Sequence, residues 1–295
     1  MKIRFAVSPG RAATDLERFV GFVTDLETLG FDGMWLSDVP LGPTADPVVG
    51  LAYAAGTTSR LKLGSTVVPL GRNPLVLAKS LAQLDRLSAG RLLLSFVVGL
   101  DQPGERQALG VAGRHRGRML EEMVPLLRAW WAGGTVDHQG ASFEVRGVAS
   151  PATPVQDPLE VWFGGRGAEA LARAGRVADG WLGAAVTPAE AEVAVRRIAA
   201  AASEAGRAVD PEHYGMSILF AWTQPPPSVV AALGARRPDL PAEALLPVGG
   251  TALGRLVDRF VEAGVSKFVV RPVDPDGDGR AALEALAGLL LPLQT

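Results

Sequence analysis

The chain has 295 residues, 29 basic and 31 acidic side chains for a net charge of −2, 48% hydrophobic residues and no cysteine. That balance, without a long run of either sign, leaves no basic footprint for nucleic acid, and the missing thiols exclude disulfides, thiolate metal ligands and a cysteine nucleophile. No apolar stretch approaches the roughly 20 residues of a membrane span, and "MKIRFAVSPG" has too little apolar length for a secretory leader, so a cytoplasmic protein is expected, one that meets neither nucleic acid nor membrane.

Ile3 to Val7 spell a short buried strand, closed by Pro9-Gly10. A helix follows: Thr14 or Asp15 can cap it, Leu16, Phe19, Val20, Val23, Leu26 and Leu29 recur at helical spacing, and Gly30 stops it. The alternation then repeats. "GMWLS" from Gly33 is strand-like, Asp46-Pro47 starts a helix through Ala55, "LKLGS" from Leu61 is strand-like, and Asn73-Pro74 starts a helix through Leu87 that Gly90 closes. "RLLLSFVV" from Arg91 is a fourth strand, and an amphipathic helix runs from Gly117 to Trp131. Gly133 to Pro158 is an irregular excursion carrying a hairpin. "LEVWFG" from Leu159, "DGWLG" from Asp179 and "YGMSILFAW" from Tyr214 are strands five to seven, separated by helices over Ala168–Ala178 and Pro188–Ala205. Pro225 to Pro247 is a proline-interrupted insertion with short helices. A helix over Thr251–Ala263, the strand "KFVVRP" from Lys267 and a last helix over Arg280–Leu291 complete the chain.

Each amphipathic helix must bury one stripe against a strand layer, and eight such units can close a parallel sheet on itself. The expected fold is α/β, a single (β/α)8 TIM barrel over residues 1–295 with insertions after strand 4 and strand 7. An open doubly wound sheet is the alternative, though it ordinarily has fewer strands.

In such a barrel the chemistry gathers at the carboxyl ends of the strands. Those positions are Ser37-Asp38-Val39, Ser65-Thr66-Val67-Val68, Val98-Gly99-Leu100-Asp101 and Gly164-Gly165-Arg166-Gly167. The last group is the most informative: its glycines allow close backbone approach, free N–H groups at the following helix start can bind phosphate, and Arg166 can add charge. A plain glycine turn is the alternative. Gly165 to Ala170 also fits a loose G-x-G-x-x-A dinucleotide pattern, but the next strand offers no acidic residue for a ribose. Asp274, Asp276, Asp278 and Gly279 imitate the start of a calcium loop, yet the twelfth position is Ala285 and a strand precedes them, which favours a solvated turn. His115, His138 and His213 lie far apart without ligand spacing, so no metal is expected, and neither G-x-S-x-G nor a Walker-type glycine loop occurs.

Four ordered stretches resemble the luciferase-like monooxygenase family, including its deazaflavin-dependent branch. They are "LGFDGMWLSD" from Leu29, "TSRLKLGSTVVPLGRNPLVLAKSLAQLDRLSAGRLLL" from Thr58, "RHRGRMLEEMVPLLRAWW" from Arg114 and "LEVWFGGRGAEALARAGRVADGWLGA" from Leu159. The resemblance implies an oxidoreductase acting on a small organic substrate, with a coenzyme ring in the barrel mouth against Thr66 and Val67. Val98 and Gly99 would lie beside the ring, and Gly164, Gly165, Arg166 and Gly167 would hold its phosphate. It also implies a homodimer, and a cis peptide at Thr66-Val67, which costs about 3 kcal/mol and needs its surroundings to hold it.

Asp38 is the first candidate for a catalytic or coenzyme-facing polar group, with Asp101 and Glu105 behind it and a loop-capping role as the alternative. Trp35, Trp162 and Trp181 read as core or wall residues. Coenzyme F-420 is the leading cofactor, FMN the alternative, and a non-catalytic flavin-binding barrel the third reading. Two departures from the family pattern motivate that third reading. Val39 stands where histidine is common, and Val97 and Val98 stand where small residues would let a ring approach.

Overall fold

A computed structural model describes all 295 residues apart from the side chains of Arg11 and Leu16. The first half of the barrel consists of β1 (Arg4–Val7), α1 (Leu16–Leu29), β2 (Gly33–Ser37), α2 (Pro47–Thr57), β3 (Lys62–Val67), α3 (Pro74–Leu87) and β4 (Leu92–Phe96). A short helix α4 (Pro103–Ala108) and the long α5 (Arg116–Trp131) precede a hairpin, β5 (Thr135–Gln139) with β6 (Glu144–Ala149). Then come β7 (Val161–Gly164), α6 (Ala168–Val177), β8 (Gly180–Ala184), α7 (Pro188–Glu204) and β9 (Tyr214–Phe220). The chain ends through α8 (Pro227–Arg236), α9 (Gly250–Glu262), β10 (Lys267–Pro272) and α10 (Arg280–Leu290).

Eight of the strands close a parallel barrel in the order β1-β10-β9-β8-β7-β4-β3-β2, sealed by the pairing of β1 with β10 from Arg4↔Lys267 to Val7↔Val270. Local chemistry explains the helix starts. The Asp46 carboxylate accepts from the N–H groups of Val48 and Val49, the Asn73 side chain accepts from those of Leu75 and Val76, and Thr187 and Glu190 form a reciprocal capping box.

The inserted segments lie on different connections. The hairpin follows α5, on the connection that returns to the amino ends of the strands, and is held to that helix by Glu122, which accepts from the N–H groups of Ser142 and Phe143. The second insertion, with α8, follows β9. Its Leu233, Leu245 and Leu246 pack against Ala185, Leu219 and Val273 at the ends of β8, β9 and β10, forming a wall on one side of the barrel opening. Arg237, buried, pins that wall to α7 by donating to Glu190 Oε1 at 2.7 Å and to the Ala185 carbonyl at 2.6 Å.

Two buried charged residues stitch the barrel, Arg91 within its amino-terminal half and Asp85 from α3 to the segment before β7. Arg91 donates to the carbonyls of Ala55, Thr58, Leu61 and Ser88, and Asp85 accepts from the N–H groups of Val155 and Gln156 and from Gln156 Nε2. Both belong to the stretch that carries the strongest family resemblance. The barrel interior is floored by Trp35, Leu182 and Val269 with Ala6, Leu93 and Trp162 around them. Gly180 makes room for one indole, since a Cβ there would stand 2.5 Å from Trp162 Cε2.

Several sequence expectations are corrected. The Thr66-Val67 peptide is trans, and the cis bond among the described residues is Asp157-Pro158. The ordinary ladder continues through residues 66 and 67, Asp38 N–H donating to the Thr66 carbonyl and Val97 N–H to that of Val67, so nothing holds the costlier isomer there. The fourth strand stops at Phe96 rather than Val98, because the chain turns at Gly99, whose φ is +80°. The acidic run near the last helix is a turn solvated only in part of its length, at Asp276: Asp278 is buried and accepts from Ala12 N–H, and Asp274 accepts from Trp222 and Thr223 N–H. No helix among the described residues is long and apolar enough to cross a membrane.

Candidate active site

Side chains alternate between the two faces of a strand, so the interior floor sets the phase for the opening. Two residues beyond Ala6, Trp35, Leu93, Trp162, Leu182 and Val269 stand Ser8, Ser37, Ser95, Gly164, Ala184 and Arg271. Gly64 and Gly215 share the floor, because Cβ atoms there would overlap Trp35 and crowd Leu182 and Trp162, which puts Thr66 and Ser217 in the same inner set. The opening at the strands' carboxyl ends is therefore ringed by four serines, a threonine, a glycine, an alanine and one arginine. Small side chains leave a basin over a tryptophan floor, with Ser37, Thr66 and Ser217 as its solvent-reaching hydroxyls and Ser8 and Ser95 buried beneath. Thr66 Oγ1 accepts from Trp35 Nε1 at 2.9 Å, which leaves the Thr66 hydroxyl proton to donate into the basin. Ser95 Oγ is buried without a hydrogen-bond partner.

The same phase sorts the residues nominated from sequence. Thr66 and Gly164 face the basin. Val67, one residue out of phase with Thr66, is buried in the layer between strands and helices. Asp38 also points away: its carboxylate, with 4% of the side chain exposed, accepts from Arg72 Nη2 at 2.8 Å and Val68 N–H at 3.0 Å. Burial lifts its pKa above the ordinary carboxylate value, with Arg72 opposing that rise. It joins the loops after β2 and β3.

Val98 packs on the main core, and its carbonyl and those of Gly99 and Leu100 all accept from Arg116. Gly99 must be glycine on two counts, a positive φ and the Glu105 carboxylate, whose Oε1 would stand 2.6 Å from a Cβ. Glu105 accepts from Leu100 N–H, and Asp101 pairs with Arg106 and Arg116. The histidines hold separate posts: His115 caps α5, His138 pairs with Glu122, and His213 stacks 5.4 Å from Trp162. No group of three or more potential metal ligands occurs among the described residues.

Gly164 to Gly167 join β7 to α6. The Gly165 carbonyl accepts from Trp181 Nε1 at 2.8 Å, fixing the turn, and Gly167 precedes α6 without any side-chain cap. The first N–H groups of α6 are thus open to an anion. Arg166 donates to the Arg236 carbonyl at 3.0 Å, which ties the turn before α6 to the end of α8. The pKa of Arg236 is pushed down by burial and then by the charge of Arg166, a repulsion that a bound anion would relieve. Sequence reasoning missed Arg236, although "GARRPD" in the insertion carried the signal, and it missed Ser95, Ser217 and Arg271, which strand phase could have revealed.

Whether a planar ring with a phosphate tail fits depends on Val97. A Cβ on Gly164 would stand 2.6 Å from Val97 Cγ1, so this methyl leans over the glycine at the rim. The remaining basin is lined by small residues, with an unpaired hydroxyl at Ser95 and an uncapped helix beside it. These residues fit such a group.

A closed eight-stranded parallel barrel with helices between its strands defines a (β/α)8 protein. The family model described as luciferase-like monooxygenase matches residues 1–242, and the chain belongs to that family. It is 34% identical over 185 residues to 5,10-methylenetetrahydromethanopterin reductase of Methanolobus tindarius, covering 61% of this chain and 54% of that protein. The chain thus spans about half the length of the curated relatives it matches. Its fold is like that of the coenzyme F-420-dependent tetrahydromethanopterin reductase from Methanopyrus kandleri, with a TM-score of 0.81, 20% identity and 100% of both chains covered. It is also like that of the oxygenating constituent of 3,6-diketocamphane monooxygenase from Pseudomonas putida in complex with FMN, with a TM-score of 0.76, 15% identity, and 100% and 99% covered.

Proposed function

We propose that the chain is an oxidoreductase that holds coenzyme F-420 in the barrel opening and uses it on a small organic substrate. The observation that carries this reading is the basin of small side chains beside the uncapped start of α6. The resemblance of the third-helix and phosphate stretches to the deazaflavin-dependent branch supports the deazaflavin over FMN, which is the alternative coenzyme. The coenzyme, when bound, supplies hydride chemistry at its ring. The N–H groups at the start of α6, with Arg166 and Arg236, would grip its phosphate. Thr66, its oxygen held by Trp35, directs a hydroxyl proton into the basin, and the tryptophan floor excludes water from below. Ser37 and Ser217 add further hydroxyls.

A second reading, a flavin-binding barrel without turnover, is favoured by Val97 leaning over Gly164. A homodimer belongs to the main reading and is supported by exposed apolar residues on adjoining helices, Val49 (69% exposed) and Tyr53 one turn apart on α2, and Val76 (62% exposed) on α3.

The experiment is a titration of the purified chain with oxidised and reduced coenzyme F-420 and FMN, followed by absorbance and fluorescence, beside Gly167→Asp. At Gly167 φ is −73° and nothing lies within 4 Å of a Cβ, so aspartate fits and caps α6 while repelling phosphate. Saturable F-420 binding is expected, weakened about tenfold or more in Gly167→Asp, with thermal stability kept or raised. Binding of neither coenzyme, or equal affinity in the variant, refutes the reading; F-420 binding without turnover across substrates favours the second one.

A further inference from the structure

The carboxylates near the opening are already committed: Asp38 to Arg72, Asp101 to Arg106 and Arg116, Glu105 to Leu100 N–H, Asp274 to Trp222 N–H, Asp278 to Ala12 N–H. Arg271 is different. It is the one ionisable residue in the inner set at the strand ends, exposed to the basin, and no hydrogen bond or ion pair reaches its guanidinium among the described residues. Its pKa is pushed down by burial alone, with no carboxylate to offset that. Its neighbours are Ser8, whose N–H donates to the Val270 carbonyl, and Leu219, its register partner on β9. Leu219 and Val273 belong to the apolar wall raised by α8.

Arg271 also stands apart from the phosphate cradle. Its strand is three places from β7 around the barrel, at about 4.8 Å per strand. We infer that Arg271 is the receptor for a carboxylate on the substrate, whose apolar body lies against Leu219 and Val273. The substrate role rests on the oxidoreductase reading. A single unpaired guanidinium matches a carboxylate, which it can grip with two parallel N–H donors; a phosphate dianion would call for a second cation there.

The test uses hexanoate and its neutral analogue hexanamide as probes, titrated calorimetrically into the full chain, into Arg271→Gln and into Arg271→Lys. Hexanoate should bind saturably and more tightly than hexanamide. Arg271→Gln should lose about tenfold to a hundredfold in hexanoate affinity and none for hexanamide, Arg271→Lys should recover part of the loss, and Arg271→Gln should melt no lower than the parent. Equal hexanoate affinity in parent and Arg271→Gln, or no preference over hexanamide, overturns the inference. Coenzyme F-420 titrated into the same variant separates the two readings. Coenzyme affinity lost together with hexanoate makes Arg271 a coenzyme residue and overturns the substrate assignment. Arg271-dependent hexanoate binding in a chain that takes no coenzyme sinks the oxidoreductase reading and the substrate role while leaving an anion site.

Discussion

Replacing Asp38 by asparagine distinguishes a loop tie from a catalytic acid. The side chain is 4% exposed and accepts from Arg72 at 2.8 Å and Val68 N–H at 3.0 Å. Removing one partner of a fully buried pair costs about 3–5 kcal/mol. Arg72 is 32% exposed and keeps Asp46 at 3.2 Å, asparagine still accepts from Val68, and burial already disfavours the charged carboxylate, so the expected loss falls to no more than about 1 kcal/mol. Urea unfolding should show a lower midpoint at unchanged slope, while kcat stays within about threefold of the parent.

The pH dependence carries a sign of its own. Burial raises the folded pKa of Asp38, so the native chain takes up a proton before the unfolded chain as pH falls. The residue's contribution to stability therefore grows as pH drops from the raised folded value toward the ordinary carboxylate value, and it declines as pH rises through that window. The variant should lack this slope. Unchanged stability combined with a loss of kcat of about a hundredfold or more would refute the assignment.

Two other substitutions address the coenzyme and the assembly. Val97→Ala removes the methyl that leans over Gly164, and fluorescence titration should show coenzyme binding tightened by roughly tenfold at a stability cost of about 1 kcal/mol; equal or weaker binding would clear Val97 of obstructing the ring. Val49→Glu combined with Val76→Glu places charges on two exposed apolar positions, and sedimentation velocity should report a dimer turned into a folded monomer. A double variant still dimeric, or a parent already monomeric, removes that face from consideration.

The fold was legible because each unit repeats a local grammar: apolar strand, capped helix, glycine stop. Asp46-Pro47 and Asn73-Pro74 announce helix starts through bonds spanning only two or three residues. The short α4 escaped notice inside "GLDQPGERQA", where glycine and proline read as loop. The site was harder because its logic is non-local. Asp38 looked available until Arg72, 34 residues away, folded onto it. Val67 was nominated with Thr66, although consecutive strand residues face opposite sides and both cannot line one basin. Arg271 sits in the plain strand "KFVVRP", and its orientation follows only once β10 pairs with β1 and the interior floor fixes the phase. The most family-like stretch holds Asp85 and Arg91, whose bonds tie α3 to the segment before β7 and the ends of α2 and α3 to β3, so the resemblance spoke for architecture more strongly than for reactivity.

The indole floor gives the molecule an optical gauge. Trp35 touches Thr66 and lies about two strand residues, or ~7 Å, beneath the basin. A chromophore settling above it that absorbs where indole emits would drain that emission by energy transfer, whereas a colourless carboxylate at Arg271 would leave it bright. Occupancy by the two kinds of guest could then be followed separately in one cuvette, with no label attached.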